Sequence, residues 1–342
     1  MSHQDSDVVL SVRDLSVVYG APAKGRKRKS APPAVAVDHV SLDLKAGECI
    51  GLIGESGSGK STFGYAIMNL LPKPGRITNG KIELLGSGDL VRLDNRRLAA
   101  IRGKQIGMVF QGAQSMFNPL MTIQDHLRDI FRVHGVDNQT GLNEAKELMN
   151  RARLDVGRVL RSYPHELSGG MRQRVAIVAS VMMKPDVLIL DEPTTALDAL
   201  SQTLVLDILR DIRSVQSMAM IFITHDFAVA SNIGDRIAVM YAGQMVEVGP
   251  VLDVYRRASH PYTRGLIASV PSLTRADGEL AGVPGQPPNM SDLPKGCRFA
   301  DRCNLVTEQC RTRVPETLTV GNEHDVMCVR AIEIGEEVSV HV

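Results

Sequence analysis

Four stretches of this 342-residue sequence carry side chains whose types and spacing suit phosphate or metal chemistry. Gly54-Glu55-Ser56-Gly57-Ser58-Gly59-Lys60-Ser61 fits the spacing G-x-x-x-x-G-K-[ST]. Glycines at those places let backbone N–H groups turn inward around phosphate oxygens. Lys60 then reaches the β and γ phosphates, Ser61 supplies an oxygen to Mg²⁺, and the helix opening through Thr62 points its N-terminal dipole at the anion. Val187–Glu192 (VLILDE) is an apolar run ending in two carboxylates. Alone that is a common pattern. Downstream of a phosphate loop, it puts Asp191 at the carboxyl edge of a buried strand, beside a hydrated Mg²⁺, and Glu192 where it polarises an attacking water. Ser168-Gly169-Gly170, in LSGGMRQRV, makes a second anion-binding nest at a helix start. One nucleotide has little use for two such nests, so Ser168 and Gly170 are expected to meet the γ-phosphate bound to another subunit. Two nucleotides would then be sandwiched in a head-to-tail dimer.

The fourth stretch is Cys297, Cys303, Cys310 and Cys328, four of the five cysteines gathered in the last fifth of the chain. In a protein without a leader such a group is more often a metal site than a disulfide framework. Structural zinc favours pairs two to four residues apart. These gaps of five, six and seventeen residues favour a bulkier iron–sulfur cluster, with zinc as the second choice.

Hydropathy patterning supplies the elements that must hold these groups. Val8–Tyr19 and Val35–Leu44 alternate as two strands, joined by a basic loop bearing Lys24, Arg26, Lys27, Arg28 and Lys29. That run reads as a solvated hairpin loop, with nucleic-acid or membrane contact as the sharper alternative. A short strand over Glu48–Gly54 feeds the phosphate loop and a helix over Lys60–Leu71. Lys104–Phe110 is another strand. From Thr122 to Val181 the period is helical, broken near Gly135 and at Tyr163–Pro164. Strand and helix alternation returns with Val187–Leu190, Ala199–Val215, Met218–Thr224, Arg236–Tyr241 and Gln244–Val248. Buried short strands alternating with helices predict an α/β core with a parallel sheet and a helical insert at about 112–182. Residues 1–250 form that domain. Recurring prolines beyond Pro250 predict an extension over 251–342 with little regular structure.

Composition narrows the function classes. The chain is 44% hydrophobic and 23% charged, so it can bury a sizeable core. A net charge of +1, no Trp and 4% aromatic residues argue against nucleic acid as a partner. The opening MSHQDSD is polar and acidic and predicts no secretory leader. No apolar run approaches the ~20 residues that cross a bilayer.

With LSGGMRQRV added to the phosphate loop and VLILDE, nearly the whole chain resembles the ATP-binding subunits of ABC transporters. The resemblance implies a P-loop NTPase fold and hydrolysis of ATP with Mg²⁺. It implies further roles where residues match. Gln111, in VFQG, touches Mg²⁺ and senses the membrane subunit. Asp198, in DEPTTALDA, communicates across the dimer. His225, in IFITHD, contacts the γ-phosphate and the attacking water, and Tyr19 stacks on adenine. Beyond the core, Gly249–Leu273 with HPYT at His260–Thr263, GQPPNM and Gly296–Val329 resemble the tail of oligopeptide and dipeptide importers, some of which hold a 4Fe-4S cluster. The expected partners are therefore two multi-spanning permease subunits, a second ATPase subunit, identical or related, and, indirectly, an extracytoplasmic solute-binding protein. The expected place is the cytoplasmic face of the inner membrane. FQGAQSMFNPL departs from the DP-containing form common in peptide systems and resembles relatives that carry oligosaccharides. A soluble ABC ATPase acting on nucleic acid or ribosomes is the rival from another class. It is disfavoured by the absence of tandem halves, long coiled-coil insertions and strong basic character.

Overall fold

A computed structural model describes residues 7–20, 32–112, 116–270 and 282–339. The basic run from Lys24 to Lys29 and residues Ala113 to Ser115 of the FQGAQSMFNPL phrase lie outside it. The chain divides into two compact units, one of residues 1–10, 44–48 and 84–223, the other of 11–43, 49–83 and 224–342.

The first unit is built on three parallel strands, Ile106–Val109, Val187–Asp191 and Ala219–Thr224. Met108 pairs with Ile189, and Ile189 with Ile221. Every residue of the three is buried, which is why they read as unbroken apolar runs rather than alternating ones. The helical insert follows the sequence period with one more break than the pattern predicts. Its helices are Ile123–His134, Asn138–Arg151, Val156–Arg161 and Gly169–Val181. Each begins at a side chain that accepts a hydrogen bond from an orphan N–H: Thr122, Asp137, Asp155 and Ser168. The unpredicted break comes from this local chemistry, since Asp155 caps a new helix directly after Arg153 takes a left-handed φ of 53°.

In the second unit one sheet runs in the order Leu318–Gly321, His324–Val326, Gln244–Pro250, Arg236–Tyr241, Cys49–Ile53. Cys49–Ile53 and Arg236–Tyr241 are parallel, with Leu52 opposite Ala238. Most of Val8–Tyr19 and Ala34–Lys45 also belongs here, beside Arg76–Leu84, a strand the patterning did not reveal. Fold class is α/β with a helical insert, as the sequence predicts.

Beyond Pro250 there is more regular structure than the proline spacing predicts. Helices Val251–Arg257, Pro261–Ala268, Glu308–Thr312 and Ala331–Ser339 are interleaved with two short strands. His324–Val326 pairs antiparallel with Gln244–Pro250, setting Val326 opposite Glu247. Strands of three and four residues are too short to show a period and exist because a longer neighbour pairs with them. Val254, Tyr262 and Phe299 share a buried cluster with Ile53, Val239 and Tyr241. The extension is thus folded into its unit's core. Among the described residues no helix is long and apolar enough to cross a membrane.

Candidate active site

In the second unit the phosphate loop leaves the buried strand Cys49–Ile53 and enters the helix Lys60–Ile67 at Gly59. Its backbone demands glycine. Gly54 has φ 153° and Gly59 φ 105°, and a Cβ would stand 2.1 Å from Met240 O and 2.2 Å from Ala36 O respectively. Gly59→Ala is therefore expected to cost on the order of 2 kcal/mol or more. Urea unfolding would register it as a lowered midpoint. Lys60 is buried and curls over its own loop, donating to Gly54 O at 2.7 Å and Glu55 O at 2.8 Å. Its ammonium thus sits within the turn that would face phosphate. Gly243 N donates to Ser58 O at 2.8 Å and Asp38 N to Gly243 O at 2.8 Å, tying the loop to the adjacent sheets. Ser56 and Gly57 are exposed, and Ser61 and Thr62 are half-buried in the first turn of the helix. The Tyr19 ring lies against Gly75, where a Cβ would come within 2.7 Å of it. His225 is exposed just past the strand Ala219–Thr224, and Asp226 beside it caps the helix Phe227–Ile233.

Glu55 carries partners that sequence reading missed. Arg302 grips its carboxylate with two parallel bonds of 2.8 Å, and the Tyr262 hydroxyl accepts from its N–H at 2.8 Å. The Glu55 carboxylate raises the affinity of Arg302 for its proton above the ordinary guanidinium value. Tyr262 is the tyrosine of HPYT, so that motif's distinctiveness was a usable signal. Arg302 offered none, because nothing in its local sequence points to a loop 247 positions away.

In the first unit, Asp191 is fully buried at the strand end and Glu192 follows it in a left-handed conformation, φ 49°. Glu192 N donates to Ile223 O at 2.9 Å. Its Oε2 accepts from Thr195 Oγ1 at 2.7 Å and makes a long 3.5 Å contact with Gln111 Nε2. Thr195 and Gln111 thus converge on one carboxylate oxygen of Glu192. Asp198 caps the helix Ala199–Gln216, accepting from Ser201 N at 2.9 Å, and that bond holds its carboxyl below the usual carboxylate range. Ser168 is exposed and accepts from Met171 N at 3.3 Å. Gly169 and Gly170 open its helix, and a Cβ on Gly170 would stand 3.3 Å from Ser201 Oγ. The nest and the Asp198 cap are therefore neighbours.

The four late cysteines line one cavity of about 20 Å³, with Pro261, Phe299 and Leu305 among its apolar walls. All are free thiols. Burial pushes Cys297 and Cys328 up to about 11 and raises Cys303. Backbone N–H groups nevertheless face three of the sulfurs, those of Phe299 and Ala300 toward Cys297, Leu305 toward Cys303 and Arg330 toward Cys328. The expectation of a metal centre needs correcting to that extent. Among the described residues no group of three or more His, Cys, Asp or Glu stands in a metal-holding arrangement. Burial disfavours the thiolate form of Cys297, Cys303 and Cys328, and neutral sulfurs pack as small apolar groups.

The family described as ABC transporter matches residues 37–195, and the oligopeptide/dipeptide transporter C-terminal region matches 246–310. A Brucella melitensis protein named for ATP binding in peptide import is 41% identical over 339 residues, 95% of this chain and 98% of its own. A dipeptide transport ATP-binding protein of Caldanaerobacter subterraneus is 37% identical over 94% of this chain and 96% of its own. Among solved structures, a dimeric ATP-binding cassette in a post-hydrolysis state, bound to ADP and phosphate, has a TM-score of 0.61. It shares 26% identity over 71% of this chain and 98% of that one.

Proposed function

The chain belongs to the ATP-binding subunits of ABC transporters, and we propose from that membership that it hydrolyses ATP to drive import of peptides. The observation that carries the reading is the phosphate loop, with Lys60 folded into it, in a chain whose later part matches the oligopeptide and dipeptide transporter region.

In this reading the amides of Gly57, Ser58 and Gly59 with Lys60, Ser61 and Thr62 hold the polyphosphate, and Tyr19 stacks on adenine. Ser61 and Gln111 would offer hard oxygens to Mg²⁺ and Asp191 would hold the hydrated ion from its second shell; the ion would supply positive charge against the polyphosphate. Glu192 takes the proton of the attacking water, and His225 orients that water against the γ-phosphate. Ser168, Gly169 and Gly170 close over the nucleotide of a second ATPase subunit, and Asp198 lies at the same junction. Binding of ATP shifts the pair toward a closed state, and hydrolysis with release of phosphate lets it reopen. Two permease subunits receive that motion at the cytoplasmic face of the membrane, and a solute-binding protein supplies them from outside. Purification in mild detergent tests the assignment. Multi-spanning membrane proteins are expected with the chain; nucleic acid or ribosomes in their place would overturn it.

Cys297, Cys303, Cys310 and Cys328 hold a 4Fe-4S cluster in the same reading, with zinc as the second choice. A bound centre keeps its four sulfurs ionised and staples the extension. Anaerobically purified protein should be brown with about four irons and four sulfides per chain. Cys303→Ser should bleach it and expose the extension to proteolysis. Colourless anaerobic protein with one zinc per chain would decide for zinc.

A further inference from the structure

We propose that Arg302 is a positioning residue for nucleotide binding, holding the Glu55 carboxylate of the phosphate loop turned away from the polyphosphate. This rests on reading Gly54–Ser61 as the phosphate cradle and assigns a task to the C-terminal extension that bears on it.

The pair has the marks of a built site. Arg302 Nη1 and Nη2 reach Glu55 Oε2 and Oε1 at 2.8 Å each, the fork-to-fork geometry that makes arginine–carboxylate pairs strong and directional. The Arg302 side chain is 5% exposed and the Glu55 side chain 27%. All five guanidinium donors are used. Nε donates to Pro284 O at 2.6 Å, Nη2 also to Val283 O at 3.1 Å, and Nη1 also to the Tyr241 hydroxyl at 3.3 Å. The guanidinium carbon lies 5.6 Å from the Tyr241 ring centre and 5.8 Å from that of Phe299. Arg302 is therefore anchored in the extension before it reaches the loop.

Glu55 is held at three points: its carboxylate by Arg302, its N–H by Tyr262 and its carbonyl by Lys60. The carboxylate is the one negative side chain within Gly54–Ser61, in a loop whose chemistry is to attract polyphosphate. Paired with Arg302 it is neutralised and fixed. Unpaired, it is a partly buried negative charge free to swing toward the phosphates, and repulsion at that range weakens binding by about tenfold. An extension that served only to pack would not make nucleotide affinity depend on the charge of Glu55.

The test uses the full chain and a fluorescent ATP analogue with Mg²⁺. Arg302→Met should bind about tenfold more weakly and raise KM for ATP, with kcat at saturation changed less than about twofold. Glu55→Gln is measured as the second single variant, and Glu55→Gln combined with Arg302→Met should recover most of the affinity lost in Arg302→Met. That non-additivity marks the two residues as one coupled unit. Should Arg302→Met fail to fold, Arg302→Gln is shorter but keeps two N–H donors while removing the charge, and the same loss and rescue are expected. Wild-type affinity in Arg302→Gln or Arg302→Met, or a double variant as weak as the single, would overturn the proposal. Lys60→Ala separates the two levels: if it leaves affinity intact, the reading of the loop as the phosphate cradle has failed, independently of Arg302.

Discussion

Glu192→Gln will bind MgATP and turn it over about 10²–10⁴-fold more slowly, the usual loss when a general base is removed. The substitution is nearly isosteric. A glutamine carbonyl can still accept from Thr195 Oγ1, as Glu192 Oε2 does at 2.7 Å, and the backbone bond from Glu192 N to Ile223 O is untouched. The left-handed backbone at this residue, φ 49°, is set by the main chain and survives the change. What disappears is the negative charge that accepts a proton. The fold should therefore be retained while the chemical step stalls, and a nucleotide-loaded closed dimer should accumulate. Single-turnover kinetics with size-exclusion light scattering check both halves. Turnover near the wild-type rate would remove Glu192 from the role of base.

Gly170→Asp should abolish ATP hydrolysis, by about 10²-fold or more, while leaving the nucleotide affinity of the isolated chain nearly unchanged. The added carboxylate would face the γ-phosphate of the second subunit's nucleotide. A Cβ there would stand 3.3 Å from Ser201 Oγ, a tight contact, but with the end of a small side chain that has to give by only a few tenths of an ångström. Ser168→Ala is the companion variant. It removes the cap bond to Met171 N and costs about 1 kcal/mol in stability. Lys60→Ala behaves oppositely and weakens nucleotide binding itself, since Lys60 sits inside the loop, bonded to Gly54 O and Glu55 O. Titrations of the monomeric chain distinguish the two classes. If Gly170→Asp lowered monomer affinity as deeply as Lys60→Ala does, the arrangement across the dimer would be wrong.

The sequence by itself determined the parts whose chemistry is local. A phosphate loop is a run of eight residues in which glycine φ values and one lysine do the work, so Gly54–Ser61 is legible wherever it occurs. Strands buried on both faces, such as Val187–Asp191, and capped helices, such as Ile123–His134 after Thr122, announce themselves because burial and capping act over a few adjacent residues. Tertiary structure decided what depends on distant segments meeting. The strand His324–Val326 has three residues and forms only because Gln244–Pro250 offers it an edge, so no period in the extension could reveal it. Four cysteines spread over more than thirty positions share one cavity, and the burial that raises Cys297, Cys303 and Cys328 is invisible in their spacing. The grip of Arg302 on Glu55 spans 247 positions and needs the rings of Tyr241 and Phe299 to aim it. Directed hydrogen bonds of this kind are set by where the chain returns in space, and the order of residues along it carries no mark of them.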